Sequence, residues 1–143
     1  MQIALAEARL AAAEGEVPVG AVLVSDKGRV LARAHNLVET RSDPTAHAEI
    51  LAIRAAAAAR AEPRLPDCDL YVTLEPCAMC AQAISYARIR RLYFGAYDPK
   101  GGGVEHGARI FRQPTCHHAP EVYGGLKEAE AKTELRRFFA AKR

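Results

Sequence analysis

Leu70-Tyr71-Val72-Thr73-Leu74-Glu75-Pro76-Cys77-Ala78-Met79-Cys80 leads through a helix-spaced stretch to Arg91-Leu92-Tyr93-Phe94-Gly95-Ala96, and the reading of these residues decides the fold. Residues 70–74 are short, apolar and rich in β-formers, the pattern of a buried strand. Pro76 reads as the first residue of a helix carrying Cys77 to Ala87, because the N–H that proline lacks is one the first turn leaves unpaired. Residues 91–96 repeat the buried-strand pattern. Two buried strands joined through a helix run parallel, and the crossover is expected to be right-handed.

Toward the N-terminus, residues 19–24 and 29–34 are strand-like runs separated by Ser25-Asp26-Lys27-Gly28, a turn signal that makes them an antiparallel hairpin. A first helix over residues 2–14 is expected to bury Ile3, Ala6 and Leu10 and to end at Gly15. Residues 36–44 read as a polar loop. The following helix, residues 46–60, places Ile50, Ile53 and Ala57 on one face and stops near Pro63 and Pro66. Toward the C-terminus, residues 98–120 are rich in Gly and Pro, with a short helix expected around 104–111. A last strand at 121–123 and a final helix to Phe139 complete the chain. The expectation is an α/β fold, a three-layer α/β/α sandwich around a five-stranded mixed sheet.

With 143 residues, 50% hydrophobic and 26% charged, residues 1–143 are expected to form a single domain with a real core. This composition excludes disordered and collagen-like chains. A net charge of +3 permits a local basic surface without demanding a nucleic-acid partner. Ser25, Arg54, Arg60 and Glu75 interrupt the most apolar stretches, so no membrane span is expected. Glu7 and Arg9 stand where a secretory signal would be apolar, which points to a cytoplasmic place. The cysteines Cys68, Cys77, Cys80 and Cys116 are few for a disulfide framework, and Cys77-x-x-Cys80 suits a metal or redox chemistry.

The chemistry concentrates at two helix starts, His47-Ala48-Glu49 and Pro76-Cys77-Ala78-Met79-Cys80. Cysteines at i and i+3 share a helix face, and a helix N-terminus favours the thiolate that zinc requires. With His47 as third donor, Cys77 and Cys80 leave one tetrahedral position for water, the composition of a catalytic zinc site. Glu49, in the same first turn as His47, can exchange protons with such a water and with substrate. A redox pair would not need Glu49. A structural zinc knuckle would want a fourth protein donor, for which Cys68, Cys116, His117 and His118 are the candidates that must lie elsewhere.

H-x-E followed by P-C-x-x-C is the signature of zinc nucleobase deaminases. Residues 43–50, 70–80 and 94–96, together with Glu16-Val17-Pro18-Val19-Gly20-Ala21-Val22 and the paired Phe138-Phe139, resemble the bacterial tRNA-specific adenosine deaminases of the TadA type, within the cytidine and deoxycytidylate deaminase superfamily. The resemblance spans nearly the whole chain. It implies a cytidine-deaminase-like fold, one Zn2+ per subunit on His47, Cys77 and Cys80, and hydrolytic deamination of adenosine to inosine at the wobble position of a tRNA anticodon stem-loop. It further implies Glu49 as the proton carrier, Asn36 and the Ala48 backbone at the target base, Asp98 near the upstream nucleotide, and a homodimer; Phe138 reads either as a flat face for a neighbouring base or as a core residue.

Arg88, Arg90, Arg91 and Lys100, and separately Arg136, Arg137, Lys142 and Arg143 around Phe138, are candidate phosphate contacts. The chain departs from the family at Gly103-Val104-Glu105-His106-Gly107, where many members carry a Gly-Ser pair. His106, His117, His118, Cys68 and Cys116 receive no role from the resemblance. Two rival readings remain: a small-molecule nucleobase deaminase of guanine or cytosine type, and a non-catalytic zinc-stabilised RNA-binding module. Guanine deaminases usually carry Cys before Glu-Pro-Cys, where this chain has Leu74.

Overall fold

A computed structural model describes residues 1–142; Arg143, counted above with the basic cluster of the last helix, lies outside the described residues. In chain order the elements are α1 (Gln2–Ala13), β1 (Gly20–Ser25), β2 (Val30–His35), α2 (Val38–Arg41), α3 (Ala48–Arg60), β3 (Cys68–Leu74), α4 (Ala78–Tyr86), β4 (Arg91–Ala96), a single 3-10 turn at Ile110–Arg112, β5 (Glu121–Tyr123) and α5 (Glu128–Ala141).

The sheet order is β2-β1-β3-β4-β5. Antiparallel pairing joins β1 to both β2 and β3, while β3, β4 and β5 run parallel, with Leu70 beside Leu92 and Val72 beside Phe94. The mixed sheet therefore has the expected form. One face packs its large apolar residues, among them Leu70, Val72, Leu92 and Phe94, against Ala52 and Ala56 of α3 and Ala81 and Ile84 of α4. The other face is covered by α1 and α5, where Leu5, Ala96 and Ala131 form a smaller apolar cluster. Among the described residues, no helix is long and apolar enough to cross a membrane.

The helix faces differ from the periodicity reading. In α1 the buried positions are Ala4, Leu5, Glu7, Ala8 and Ala11, while Ile3 and Leu10 are exposed. In α3 they are Ala48, Glu49, Ala52 and Ala56, and Ile50, Ile53 and Ala57 are only half-buried. The physical reason is close approach: small residues let helix backbone sit on the sheet, and the bulkier aliphatics go to the flanks. Gly20 is the counterpart in β1, because a Cβ there would collide with the backbone of α1 at Ala4 and Ala8.

Three boundaries also move. Residues 38–41 of the expected loop form the short α2. Pro76 precedes the helix it was expected to begin, with Cys77 as the N-cap of α4. The helix expected at 104–111 contracts to the 3-10 turn at Ile110–Arg112.

Candidate active site

The two chemistry-bearing motifs meet because α3 and α4 begin at the same edge of the sheet, beyond the carboxyl end of β3, the usual place for a site in an open α/β sheet. His47 is the N-cap of α3 and Cys77 the N-cap of α4, both with extended backbone (ψ 150° and 174°). Ahead of α3, the Asp43 carboxylate accepts from the Thr45 backbone N–H (2.8 Å) and hydroxyl (2.7 Å), which shapes the turn leading into His47.

His47 Nδ1 lies 3.6 Å from Cys77 Sγ and 3.5 Å from Cys80 Sγ, and the three donor atoms all fall within 4.8 Å of one another. These separations test the fit to zinc. Sulfur at about 2.3 Å and nitrogen at about 2.0 Å around a tetrahedral ion stand about 3.5 Å apart. The donor set and its spacing therefore fit one zinc ion with Nδ1 as the imidazole donor. The candidate fourth donors are elsewhere. Cys68 is buried at the start of β3, Cys116 Sγ lies 3.5 Å from Ser85 Oγ near the far end of α4, His118 Nε2 lies 2.7 Å from the Ile89 carbonyl, and His117 is exposed.

The three donor groups shift one another's titration, and the negative charge settles on Cys77. Hydrogen bonding from Cys80, and then from His47, pulls the Cys77 thiol down to about 4. The Cys80 thiol is pushed up, first by its hydrogen bond to Cys77 and then by burial. The His47 imidazole is raised, first by its bond to Cys77. Glu49 is buried, and that burial lifts its carboxyl to about 7, with the Cys77 charge adding to the effect.

These groups open onto a cavity of about 860 Å³. Of the sequence-predicted site residues, His47, Ala48, Glu49, Cys77, Asn36, Asp98 and Phe138 all line it, and Cys80 is buried behind Cys77. Asn36 is buried, and its Oδ1 is the one buried side-chain oxygen or nitrogen among the described residues with no hydrogen-bond partner. An unpaired amide oxygen in a cavity wall is costly unless a ligand supplies the donor. Asp98 Oδ1 accepts from the N–H groups of Lys100 (3.2 Å) and Gly101 (2.9 Å), holding a turn at the rim. Phe138 and Phe139 pack edge to face at 5.3 Å, with the Lys142 ammonium 5.2 Å from the Phe138 ring.

The first basic group does not form one patch. Arg90 is held by two bonds to Asp69 (2.9 and 2.8 Å) and Arg91 by Glu121 (2.6 Å), both at the start of β4. Lys100 lies beyond the other end of that strand, on the cavity side. The sequence pattern missed two buried carboxylates beside the cavity. Glu16 accepts from the Glu39 and Thr40 N–H groups and the Thr40 hydroxyl, and so anchors α2. Glu75 anchors the loop after β4. Neither is visible as a motif, because the partners are mostly backbone N–H groups more than twenty residues away.

A family profile for the cytidine and deoxycytidylate deaminase zinc-binding region matches residues 1–96. The chain belongs to this deaminase family. Across all 143 residues it is 63% identical to the tRNA-specific adenosine deaminase of Agrobacterium fabrum, covering 93% of that protein. Its fold superposes with a TM-score of 0.92, at 63% identity over 94% of this chain and 97% of the other, on a structure from studies of A-to-I editing by tRNA:A34 deaminases. A guanine deaminase from Bacillus subtilis matches with a TM-score of 0.67 at 32% identity, over 99% of this chain and 94% of that one. The deaminase fold is thus shared by proteins named for different bases.

Proposed function

We propose that this deaminase converts adenosine to inosine at wobble position 34 of a tRNA anticodon stem-loop, releasing ammonia. The observation that carries the chemistry is the convergence in one cavity of His47, Cys77 and Cys80, buried Glu49, and Asn36 with its unpaired amide oxygen. The full-length likeness to tRNA-specific adenosine deaminases favours adenosine in tRNA over a free base.

His47 Nδ1 and the sulfurs of Cys77 and Cys80 would hold one zinc ion per chain. When bound, zinc supplies a water acidified to near neutral pH. Asn36 offers one acceptor and two donors to a purine edge, and Ala48, in the same cavity wall, would turn its backbone to the exocyclic amine. As water adds at C6, Glu49 carries its proton to ring N1 and then a proton to the departing amine, so one carboxyl serves both halves of the reaction. Asp98 on the cavity rim accepts from a ribose hydroxyl of the upstream nucleotide, and Phe138 offers a flat face to a neighbouring base. The same resemblance carries a homodimer and a cytoplasmic place, where tRNA is found.

The test is to incubate the zinc-loaded protein with a stem-loop bearing adenosine 34 and, separately, with free guanine and free cytosine. Inosine in the RNA alone is expected. Turnover of a free base alone would move the assignment to the small-molecule deaminases, and RNA binding without turnover of anything would leave a zinc-stabilised binding module.

A further inference from the structure

Glu75 is the last residue before Pro76-Cys77, and its side chain is completely shut off from solvent. It is also crowded with donors. Oε1 accepts from the Asp98 N–H at 3.1 Å and lies 2.8 Å from His106 Nδ1. Oε2 accepts from three successive backbone N–H groups, Val104 at 3.2 Å, Glu105 at 2.9 Å and His106 at 3.2 Å. Such a concave run of amides suits one carboxylate oxygen. Gly102 is small for the same reason, since a Cβ there would collide with Glu75 Oε2. The arrangement gathers both ends of the 98–106 loop onto one buried charge, a few residues from the Cys77 donor.

The placement matters because Asp98 and Gly101 line the cavity, and their loop is tied to the end of β3 through the Glu75 side chain. Gly103 adds one strut of its own, its N–H donating to the Pro76 carbonyl at 2.8 Å. His106 is partly exposed, with its ring edge-on to Tyr97 at 6.2 Å, so it closes the cluster from the solvent side.

We infer that Glu75 and His106 form a positioning pair that sets the cavity wall carrying Asp98, and thereby the affinity for the RNA flanking the target base, with both Glu75 oxygens engaged by the loop rather than by substrate. This inference rests on the proposed function for its substrate and on hydrogen-bond geometry for its mechanism. The pair couples wall to scaffold: losing the His106 donor leaves a buried charge with one bond fewer, and the loop gains freedom that substrate must then remove.

The experiment compares His106→Ala, His106→Asn and Glu75→Gln with the parent, measuring zinc content, kcat and KM on the adenosine stem-loop, and hydrogen exchange at residues 98–106. His106→Ala should keep stoichiometric zinc and near-parental kcat while KM rises about tenfold, the size expected for one charge-assisted bond. Exchange protection at Asp98, Val104 and Glu105 should fall in parallel. Asparagine places an amide donor near the Nδ1 position and should restore most of both. Unchanged KM and unchanged protection in His106→Ala would overturn the inference, as would a loss confined to kcat or zinc. Glu75→Gln should show the same pattern more strongly; if it does not fold, the His106 pair still decides. If the parent protein leaves the stem-loop untouched, the substrate reading fails, and the exchange data alone still judge the positioning role.

Discussion

Glu49 sits in the first turn of α3 with its carboxyl buried beside Cys77 and His47. It is not one of the three mutually close donor atoms, so its loss should spare the metal. Glu49→Gln keeps the shape and removes the exchangeable proton. The expected outcome is full zinc content by elemental analysis and a kcat on the stem-loop lower by about 10² to 10⁴-fold, the range for a lost general acid and base. Parental turnover in that variant would strip Glu49 of its proposed role. Asn36 is the complementary case: its unpaired oxygen is a cost in the free protein, which a base bound as proposed would offset.

At the scale of elements, α1 is clipped to β2 by a polar cluster. Glu7 Oε2 lies 2.7 Å from His35 Nδ1, Glu7 Oε1 accepts from Arg33 Nε at 2.9 Å, and His35 Nε2 lies 3.0 Å from Glu14. Burial opposes the charged forms, but the mutual bonds outweigh it: His35 is raised from its ordinary 6.5 and Glu7 lowered from 4.5. The His35 contribution is complete below pH 6.5 and is lost as pH rises through its higher folded value. The Glu7 contribution is complete above pH 4.5 and is lost as pH falls through its lower folded value. Urea unfolding should therefore find the parent more stable at pH 5.5 than at 8.5 relative to His35→Gln, with the difference between the two proteins shrinking at the alkaline pH. An equal difference at both pH values would mean the imidazolium contributes nothing.

At the scale of the whole molecule, the residues proposed to hold zinc join two helices that pack on the same face of the sheet, so a bound ion would brace the fold as well as supply chemistry. Neither apolar cluster includes these donors, so the fold is expected to persist without the ion, unlike a zinc finger. Removing zinc with a chelator should lower Tm by about 10 °C, taking ion at about a thousand times its Kd and the usual stability per degree for a chain of this size. Calorimetry should show a single transition that returns to the parental Tm on adding zinc. No shift at all would place the ion outside the fold's energetics.

Local pattern determined the order of strands and helices, the parallel pairing of β3 with β4, and the motif residues at two helix starts, because these depend on neighbours a few positions apart. Short apolar runs and a proline before Cys77 carry that information in the chain itself. The buried faces of α1 and α3 were decided by tertiary contact, since Ala4, Ala8, Ala52 and Ala56 win over larger aliphatics only where backbone must come close to the sheet. Which imidazole nitrogen faces the sulfurs, which amide oxygen is left unpaired, and why Glu75 is buried were likewise settled only in three dimensions. Each depends on atoms brought together from distant parts of the chain, and no spacing along a sequence encodes the close meeting of a carboxylate with backbone N–H groups twenty-three to thirty-one residues away.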